Sequence, residues 1–215
     1  MHIPDGFLDV KIWAPTAVIS ICALSYASSK AREALDERQL PALGVMCAFI
    51  FAGQMINFPV AAGASGHLLG AALATIILGP WSACLILATV LAVQSLFFQD
   101  GGIIVLGANI FNMAVVAVTA SYYTFRLLER LKAGTMIAGF VAAWLSIIAA
   151  AVFASFELAI SGTAPLGIVL PAMTGWHALI GIGEGIITAV VVAFVRRSNI
   201  FGRHNNAGEV TANEA

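Results

Sequence analysis

The stretch Gly134–Ile160, GTMIAGFVAAWLSIIAAAVFASFELAI, decides the fold class of this chain. Glu157 is its only charged residue. At about 1.5 Å per residue, a helix of this length is longer than the roughly 30 Å hydrocarbon core of a bilayer. Because a helix satisfies all of its own backbone hydrogen bonds, such an apolar run is typical of a transmembrane helix.

The rest of the chain has the same character. Of its 215 residues, 60% are hydrophobic and 10% are charged, and the mean hydropathy is +0.96. This composition excludes a disordered chain and an ordinary soluble domain. The net charge of −1 argues against nucleic-acid binding. Cys22, Cys47 and Cys84 lie in apolar runs without CxxC spacing, so we interpret them as small core residues.

The apolar runs predict an all-α integral membrane protein, built as a single bundle of about seven transmembrane helices. The predicted helices are Ile12–Ser29, Leu40–Asn57, His67–Leu78, Trp81–Phe98, Ile103–Phe125, Gly134–Ile160 and Ala172–Val195. The third is short for a membrane span and starts, in this prediction, below the membrane surface. Residues 1–197 form the predicted transmembrane domain, and residues 198–215 a short polar cytoplasmic tail.

The basic residues predict the orientation of this bundle. They follow the first, fifth and seventh predicted helices: Lys30, Arg32 and Arg38; Arg126, Arg130 and Lys132; Arg196, Arg197 and Arg203. All three clusters follow odd-numbered helices. The positive-inside rule therefore places the N-terminus outside and the C-terminus inside. The start of the chain, the loop from Phe58 to His67 and the segment Gln99–Gly102 then share the outer face.

The first residues, Met1-His2-Ile3-Pro4-Asp5-Gly6-Phe7, form a candidate chelating site. The amine of Met1, the amide nitrogen of His2 and His2 Nδ1 can close a five-membered and a six-membered ring around one ion. A nearly planar nitrogen set favours Ni(II) or Cu(II), whereas zinc prefers a tetrahedron. Met1 is expected to be retained, because a bulky second residue discourages its removal. Pro4 and the Asp5-Gly6 pair favour a stiff, non-helical segment.

A fourth ligand is predicted from the segment Gly63-Ala64-Ser65-Gly66-His67. His67 lies on the same outer face and directly precedes a predicted helix. The glycines at 63 and 66 permit a tight fold and a close approach to another part of the chain. His67 is therefore the residue that we expect to complete the site begun by Met1 and His2.

Four separated motifs stand out: MHIPDGF at Met1–Phe7, GASGHLLGAALATIILGPW at Gly63–Trp81, QSLFFQDGGIIVLGANIFNM at Gln94–Met113 and WHALIGIGEG at Trp176–Gly185. Together they resemble the CbiM/NikM family, the substrate-binding components of cobalt and nickel energy-coupling factor transporters, which implies that residues 1–197 are a metal-binding S component. By this resemblance, Met1, His2 and His67 match the metal-ligating positions of the family. It also implies a multi-pass protein of the prokaryotic inner membrane, with no organic cofactor.

The resemblance further implies that uptake is powered by other chains. The expected partners are a transmembrane T component, two cytoplasmic ATP-binding cassette ATPases and, as in some relatives, a small accessory membrane subunit. The sequence contains no G-x-x-x-x-G-K-[ST] phosphate loop, so this chain is not expected to hydrolyse ATP by that route. We therefore predict a transporter subunit within the lipid bilayer, not an enzyme.

Other polar residues are candidates for orienting a ligand or lining the ion path. His177, Gly181 and Glu184 fall on one helix face, and a carboxylate within a membrane helix needs a partner. Asn109 and Asn112 share a face and are expected to reach the metal loop or the N-terminal segment. For each of these residues the alternative to a role at the metal or along the ion path is a purely structural hydrogen bond. This alternative has more weight for Glu157. The remaining polar residues are predicted to face inward and fix helices to one another: Gln54, Asn57, Gln94, Gln99 and Asp100.

The predicted function is high-affinity capture of Ni(II) at the outer face, followed by ATP-driven uptake through the complex. Co(II) uptake for cobalamin synthesis is the alternative, since the sequence does not separate the two ions. A rival of another class is a rhomboid-like intramembrane serine protease, with Ser65 in a GxSG pattern and His177 as its base. That reading leaves MHIPDGF and QDGG unexplained. A proton-coupled carrier using Glu157 and Glu184 lacks two matched repeats.

Overall fold

The computed structural model describes residues 1–34, 40–61 and 64–198, and most of them are helical. In chain order the elements are α1 (Val10–Ala34), α2 (Leu40–Gln54), β1 (Phe58–Ala61), β2 (Ala64–Gly66), α3 (Ala71–Leu78), α4 (Pro80–Phe97), α5 (Leu106–Ile110), a π-helical segment (Phe111–Val116), α6 (Ala117–Arg130), α7 (Thr135–Ile160) and α8 (Leu166–Ser198). A helix is present at each of the seven predicted positions. Arg38, Gly63 and residues 199–215 of the predicted tail lie outside the described part of the chain.

Two of the predicted boundaries are wrong near His67. The helix predicted from His67 begins at Ala71 instead, because Gly70 adopts a φ of 80° that a right-handed helix does not permit. The predicted loop before it contains an antiparallel pair of strands, β1 and β2, in which Ser65 lies opposite Pro59. His67 therefore lies in an extended connection between β2 and α3.

The fifth predicted helix also differs from its prediction. It begins at Leu106 rather than Ile103 and continues to Arg130 through the π-helical segment. A π-helical turn changes the rotation per residue within a helix. The side chains on either side of Phe111 therefore do not keep the alignment of a regular α-helix.

Four helices are long and apolar enough to cross a membrane: Val10–Glu33, Pro80–Phe97, Thr135–Ile160 and Leu166–Ser198. The helix Leu40–Gln54 is apolar but shorter, and α3 has 8 residues. The chain is therefore a multi-pass membrane protein by length and composition. Seven crossings and the orientation of the termini remain predictions.

Helices α7 and α8 form an antiparallel hairpin that is held together by close backbone approach. A Cβ atom added at Gly181 would lie 2.9 Å from Ile147, and one at Gly185 would lie 2.6 Å from the ring of Phe140. The indole nitrogen of Trp144 donates to the carbonyl of Ala178 over 3.0 Å. Gly181 and Gly185 are therefore positions where α7 and α8 pack too closely for a larger residue.

The two ends of the bundle carry different groups. At the end where α7 joins α8, the amide of Asp9 donates to the hydroxyl of Ser161 over 3.0 Å. At the far end of α8, Arg196 pairs with Glu129 at the end of α6, over 2.7 Å. The N-terminal segment thus enters the bundle at the end opposite to the basic cluster around Arg196. We call the entry end the site end.

Candidate metal centre

The first residues of the chain are inserted into the bundle. Met1 and Ile3 are fully buried, and His2 is 3% exposed. The segment has no regular secondary structure, since α1 begins only at Val10. Its backbone groups must therefore find partners elsewhere in the molecule.

The partners of Ile3 come from the third motif. The amide of Ile3 donates to Asn109 Oδ1 over 2.9 Å, and Asn109 Nδ2 donates back to the carbonyl of Ile3 over 3.0 Å. The amide of Gly102 also donates to this carbonyl over 2.9 Å. The prediction that Asn109 reaches the N-terminal segment therefore agrees with the structure.

Asp5 holds the N-terminal segment at a second point. Its carboxylate accepts hydrogen bonds from the amides of three consecutive residues, Ile103, Ile104 and Val105. A Cβ atom added at Gly102 would lie 2.1 Å from Asp5 Oδ1 and 2.4 Å from the Asp5 nitrogen. Glycine is thus required at 102, because the two backbones approach too closely for any side chain.

His67 is held by two helices through its neighbours. The carboxylate of Glu184 on α8 accepts from the amides of Leu69 and Gly70, over 2.7 and 2.9 Å. Gln54 Nε2 on α2 donates to the carbonyl of Leu69 over 2.8 Å. Glu184 therefore orients the segment that carries His67, which is the role expected of a group behind a metal ligand.

The nitrogens predicted to bind metal are close together. Met1 N lies 2.7 Å from His67 Nε2, and the other ring nitrogen of His67 lies 2.6 Å from the carbonyl of Leu68. This second contact makes Nδ1 the donor, so that the lone pair of Nε2 faces the amine. Two nitrogens bound at right angles to one ion, each at about 2.0 Å, are about 2.8 Å apart. The observed separation matches that of adjacent ligands.

His2 is the third residue of the candidate site, and both of its ring nitrogens contact polar side chains. Its ring is stacked on that of His67, with centroids 4.4 Å apart. Nε2 lies 3.0 Å from Gln94 Oε1, and Nδ1 lies 3.2 Å from Asp100 Oδ1. An ion bound by Nδ1 would therefore displace the contact with Asp100.

The described residues contain no group of three or more His, Cys, Asp and Glu side chains arranged to hold a metal ion. The candidate site is of another type. Its side-chain donors are the imidazoles of His2 and His67, and its other donors belong to the backbone at the start of the chain.

The buried site favours neutral, ligand-competent nitrogens. Burial lowers the pKa of the Met1 amine from 8.0 to about 4, although the charge of Asp100 opposes the shift. Burial also lowers the pKa of His2 and holds that of His67 well below its usual value. Near neutral pH the amine and both imidazoles are thus unprotonated, with lone pairs available to an ion.

The pKa of Asp100 is lowered for a different reason. Burial raises it, but the hydrogen bond from His2 and the charges that His2 and the N-terminal amine carry in the acid range where Asp100 titrates outweigh that effect. The amide of Asn57 also donates to the Asp100 carboxylate over 2.7 Å. Asp100 therefore supplies negative charge beside a site that is to receive a cation.

The other predicted residues are placed differently. Asn112 does not make the contacts of Asn109: its amide donates to Glu157 over 2.6 Å, and among the described residues it has no hydrogen bond to the metal loop or the N-terminal segment. A π-helical segment starts at Phe111, between the two asparagines, so Asn112 does not lie on the same helix face as Asn109. A place for Asn112 along the ion path stays a prediction. His177 is fully buried and its Nδ1 lies 2.7 Å from the carbonyl of Met173, while Nε2 has no hydrogen-bond partner among the described residues.

The serine protease alternative lacks its catalytic pair. The hydroxyl of Ser65 lies 3.3 Å from Met1 N and 3.3 Å from His2 N, and its nearest imidazole nitrogen is Nδ1 of His2 at 3.5 Å. His177 makes no hydrogen bond to it. Nucleophilic activation of Ser65 by His177 is therefore not supported.

Sequence analysis assigned Ser65, Gln94, Asp100 and Gln54 no role at the metal. The motif QDGG is the feature that could have indicated Asp100, because the N-terminal segment packs against its two glycines. Ser65 was considered only as a nucleophile, although it is two residues from His67. Gln94 and Gln54 gave no signal beyond their polarity within apolar helices.

Comparison with known proteins covers nearly the whole chain. A family model described as the cobalt uptake substrate-specific transmembrane region, CbiM, matches residues 2–200. A putative fused nickel transport protein NikMN of Archaeoglobus fulgidus is 44% identical over 197 residues, which are 91% of this chain and 65% of that protein. The chain thus spans just under two thirds of the fused relative.

Two further similarities agree with this match. The cobalt transport protein CbiM of Kyrpidia tusciae is 28% identical over 226 aligned residues, covering 100% of this chain and 92% of that protein. A solved structure described as a truncated transition metal transporter superposes with a TM-score of 0.87 at 33% identity. It covers 92% of this chain and 99% of the solved chain.

Proposed function

Because this chain belongs to the CbiM family of metal transport proteins, we propose that it captures Ni(II) at the outer membrane face and passes it to an ATP-driven uptake complex of the energy-coupling factor type. The ion is bound by the amine of Met1, the amide nitrogen and Nδ1 of His2, and Nε2 of His67. The ion is substrate and not a resident cofactor. Co(II), the substrate in the name of several relatives, is the alternative.

The observation that carries the proposal is the contact between Met1 N and His67 Nε2, at 2.7 Å and out of reach of solvent. Burying an amine is costly unless it is neutral and has a partner. Without an ion the neutral amine donates hydrogen bonds to the carbonyl of Ser65 and to Nε2 of His67, and a cation placed between the two nitrogens would be bound by both lone pairs. The fold therefore maintains a geometry that becomes favourable once metal is present.

The donor type supports nickel over harder ions. Magnesium and calcium prefer oxygen ligands, and zinc prefers four tetrahedral ligands. Two chelate rings that share the amide nitrogen of His2 instead place their three nitrogens in one plane. A planar nitrogen set suits Ni(II) and Cu(II), and the metal content of the cell then decides between them.

Partner chains supply the energy in this proposal. The sequence has no phosphate loop of the G-x-x-x-x-G-K-[ST] type. We propose a separate transmembrane T component and two cytoplasmic ATPases, with a small accessory membrane subunit where it is required. The site end then faces outward, and the end of α8 that carries Arg196 faces the ATPases, as the distribution of basic residues favours.

The test is a titration of the purified, detergent-solubilised chain with Ni(II) and with Co(II). His2→Ala and His67→Ala should each weaken Ni(II) binding by at least about 100-fold, since each removes a nitrogen of the site. Glu157→Gln is the matched control, because Glu157 is a buried carboxylate that contacts Asn112 and no proposed ligand. Binding that survives both histidine substitutions would refute the proposed site.

A further inference from the structure

A partly buried oxygen, the hydroxyl of Ser65, lies beside the three proposed chelating nitrogens, and its position bears on the choice of metal. This inference rests on the proposed function. The hydroxyl of Ser65 lies 3.3 Å from Met1 N, 3.3 Å from the amide nitrogen of His2 and 3.5 Å from His2 Nδ1. It is thus nearly equidistant from the three nitrogens that would close the two chelate rings.

Geometry fixes where such an oxygen lies relative to the ion. All points equidistant from three nitrogens lie on one axis, perpendicular to their plane. A metal ion bound equally to the three nitrogens lies on that axis as well. With metal–nitrogen bonds of about 2.0 Å, the Ser65 oxygen would lie about 2.7 Å above the ion. This is the distance of a long axial ligand, and no nitrogen of the plane has to move aside for it.

The local fold holds Ser65 in this position. Ser65 lies in β2, opposite Pro59 of β1, so its backbone is part of the strand pair. Its carbonyl oxygen accepts a hydrogen bond from the Met1 amine. The carbonyl of Ser65 therefore orients the amine, while its hydroxyl faces the three nitrogens from one side.

We propose that the Ser65 hydroxyl is a fifth, axial ligand of the bound ion and that it sets the preference between nickel and cobalt. A planar four-nitrogen set is sufficient for Ni(II), which gains little from an axial oxygen. Co(II) prefers a higher coordination number in sites built from nitrogen and oxygen ligands, so an axial oxygen increases the affinity for Co(II) more than the affinity for Ni(II). Selectivity between ions of this row depends on geometry and ligand type, so an axial oxygen favours Co(II) relative to Ni(II).

The first variant is Ser65→Ala in the full chain. With Cu(II) as a spectroscopic probe of the site, loss of an axial ligand should move the d–d band to shorter wavelength and lower g∥ in electron paramagnetic resonance. Titration with Ni(II) and Co(II) should show that the ratio of the Co(II) to the Ni(II) dissociation constant rises by about tenfold. Unchanged spectra and an unchanged ratio would overturn the proposal.

The second variant, Ser65→Cys, gives a positive signal. A sulfur over the plane should add a ligand-to-metal charge-transfer band on Cu(II) loading. Ser95→Cys is the control, because Ser95 is a buried serine whose hydroxyl donates to the carbonyl of Ala92 and not to the site. A band in Ser65→Cys alone supports the axial position, and a band in neither or in both variants contradicts it.

The outcomes separate this inference from the proposed function. If the unsubstituted chain fails to bind Ni(II), Co(II) and Cu(II), the proposed function fails. If it binds them through His2 and His67 but the two Ser65 variants keep the parent spectra, only the axial ligand fails. Should Ser65→Cys not load with metal, the spectra and the dissociation constants of Ser65→Ala decide.

Discussion

At the residue scale, the central feature is an N-terminal amine inside the protein. A charged amine in an apolar interior is very costly, so the folded chain keeps this group neutral by lowering its pKa to about 4. The unfolded chain has the ordinary value of 8.0 and binds an extra proton between these two pH values. The stability contributed by the neutral amine is therefore complete above about pH 8 and is lost as the pH falls toward 4.

The same shift predicts how Ni(II) binding depends on pH. Because the amine and both imidazoles are already neutral near pH 7, the His2 amide is the main proton that the ion must displace. The dissociation constant should rise by about tenfold for each unit that the pH falls between about pH 8 and pH 6.5, as for one released proton. Competition titrations at fixed pH values measure this slope.

A synthetic peptide of the first seven residues is the control for this prediction. Its amine and imidazole are exposed to water and retain ordinary pKa values, so they also compete with protons in this range. The peptide should lose affinity more steeply than the protein as the pH falls. Equal slopes would show that burial in the bundle does not prepare the nitrogens for metal.

Single residues with a strong chemical character could be predicted from the sequence. Met1 and His2 form a chelating pair by covalent geometry alone, and His67 follows from a glycine-containing segment on the same predicted face. The structure brings these three together as expected. Ser65 and Asp100 could not be assigned, because their proximity to His2 depends on the folding of separate loops.

At the scale of elements, two non-helical segments build the site. One is the connection from β2 to α3, fixed by Glu184 and Gln54. The other is the loop before α5, which holds Asp5 and Ile3. Both are anchored to long helices, so the proposed ligands belong to a stiff framework and not to a mobile tail.

Substitution of Gly102 should release the N-terminal segment from its loop. In Gly102→Ala the new Cβ would lie 2.4 Å from the backbone nitrogen of Asp5, a clash that no side-chain rotation relieves. We expect Ni(II) affinity to fall by at least about tenfold through displacement of Met1 and His2. Gly183→Ala is the control, because its Cβ would have no atom within 4 Å. Equal affinity of the two variants would contradict the account.

Substitution of Glu184 tests the other segment. Glu184→Gln keeps one acceptor oxygen but directs an amide NH₂ group at a backbone N–H of Leu69 or Gly70. The resulting shift of His67 should weaken Ni(II) binding by about 10- to 100-fold. Isothermal titration measures this effect, with Glu157→Gln as the matched buried carboxylate. A Glu184→Gln protein that binds as tightly as Glu157→Gln would show that α8 does not position His67.

The elements themselves were only partly predictable. Helix α7 follows directly from its length and apolar composition, whereas the β1–β2 pair gave no periodic signal in so short a segment. The start of α3 depends on the positive φ of Gly70, a position where an added Cβ atom would lie 2.7 Å from Ile50 on α2. Long-range packing of this kind cannot be derived from local sequence.

At the scale of the whole molecule, the chain is a multi-pass membrane protein with a metal site proposed at one end. The basic residues near the far end of α8 are consistent with an inward-facing surface there. Nothing in the sequence suggests a means of hydrolysing ATP by a phosphate loop. In our proposal, accumulation of the ion against a gradient depends on energy from partner chains.

Liposomes that contain this chain alone test that dependence. They should bind Ni(II) at the site but should not concentrate it in the lumen, with or without ATP. Addition of the T component and both ATPases should make uptake ATP-dependent. Concentrative uptake by the isolated chain would identify it instead as a self-sufficient carrier.

The central claim is that the amine of Met1 is itself a metal ligand, and one measurement tests it directly. Two forms of the chain should be compared by Ni(II) titration, one beginning at Met1 and one with a single glycine added before it. The extension leaves every side chain in place but converts the amine into an amide in a fully buried position. We predict that the extended form loses Ni(II) binding by at least about 100-fold and regains it when the glycine is cleaved off. Equal affinity of the two forms would contradict the account.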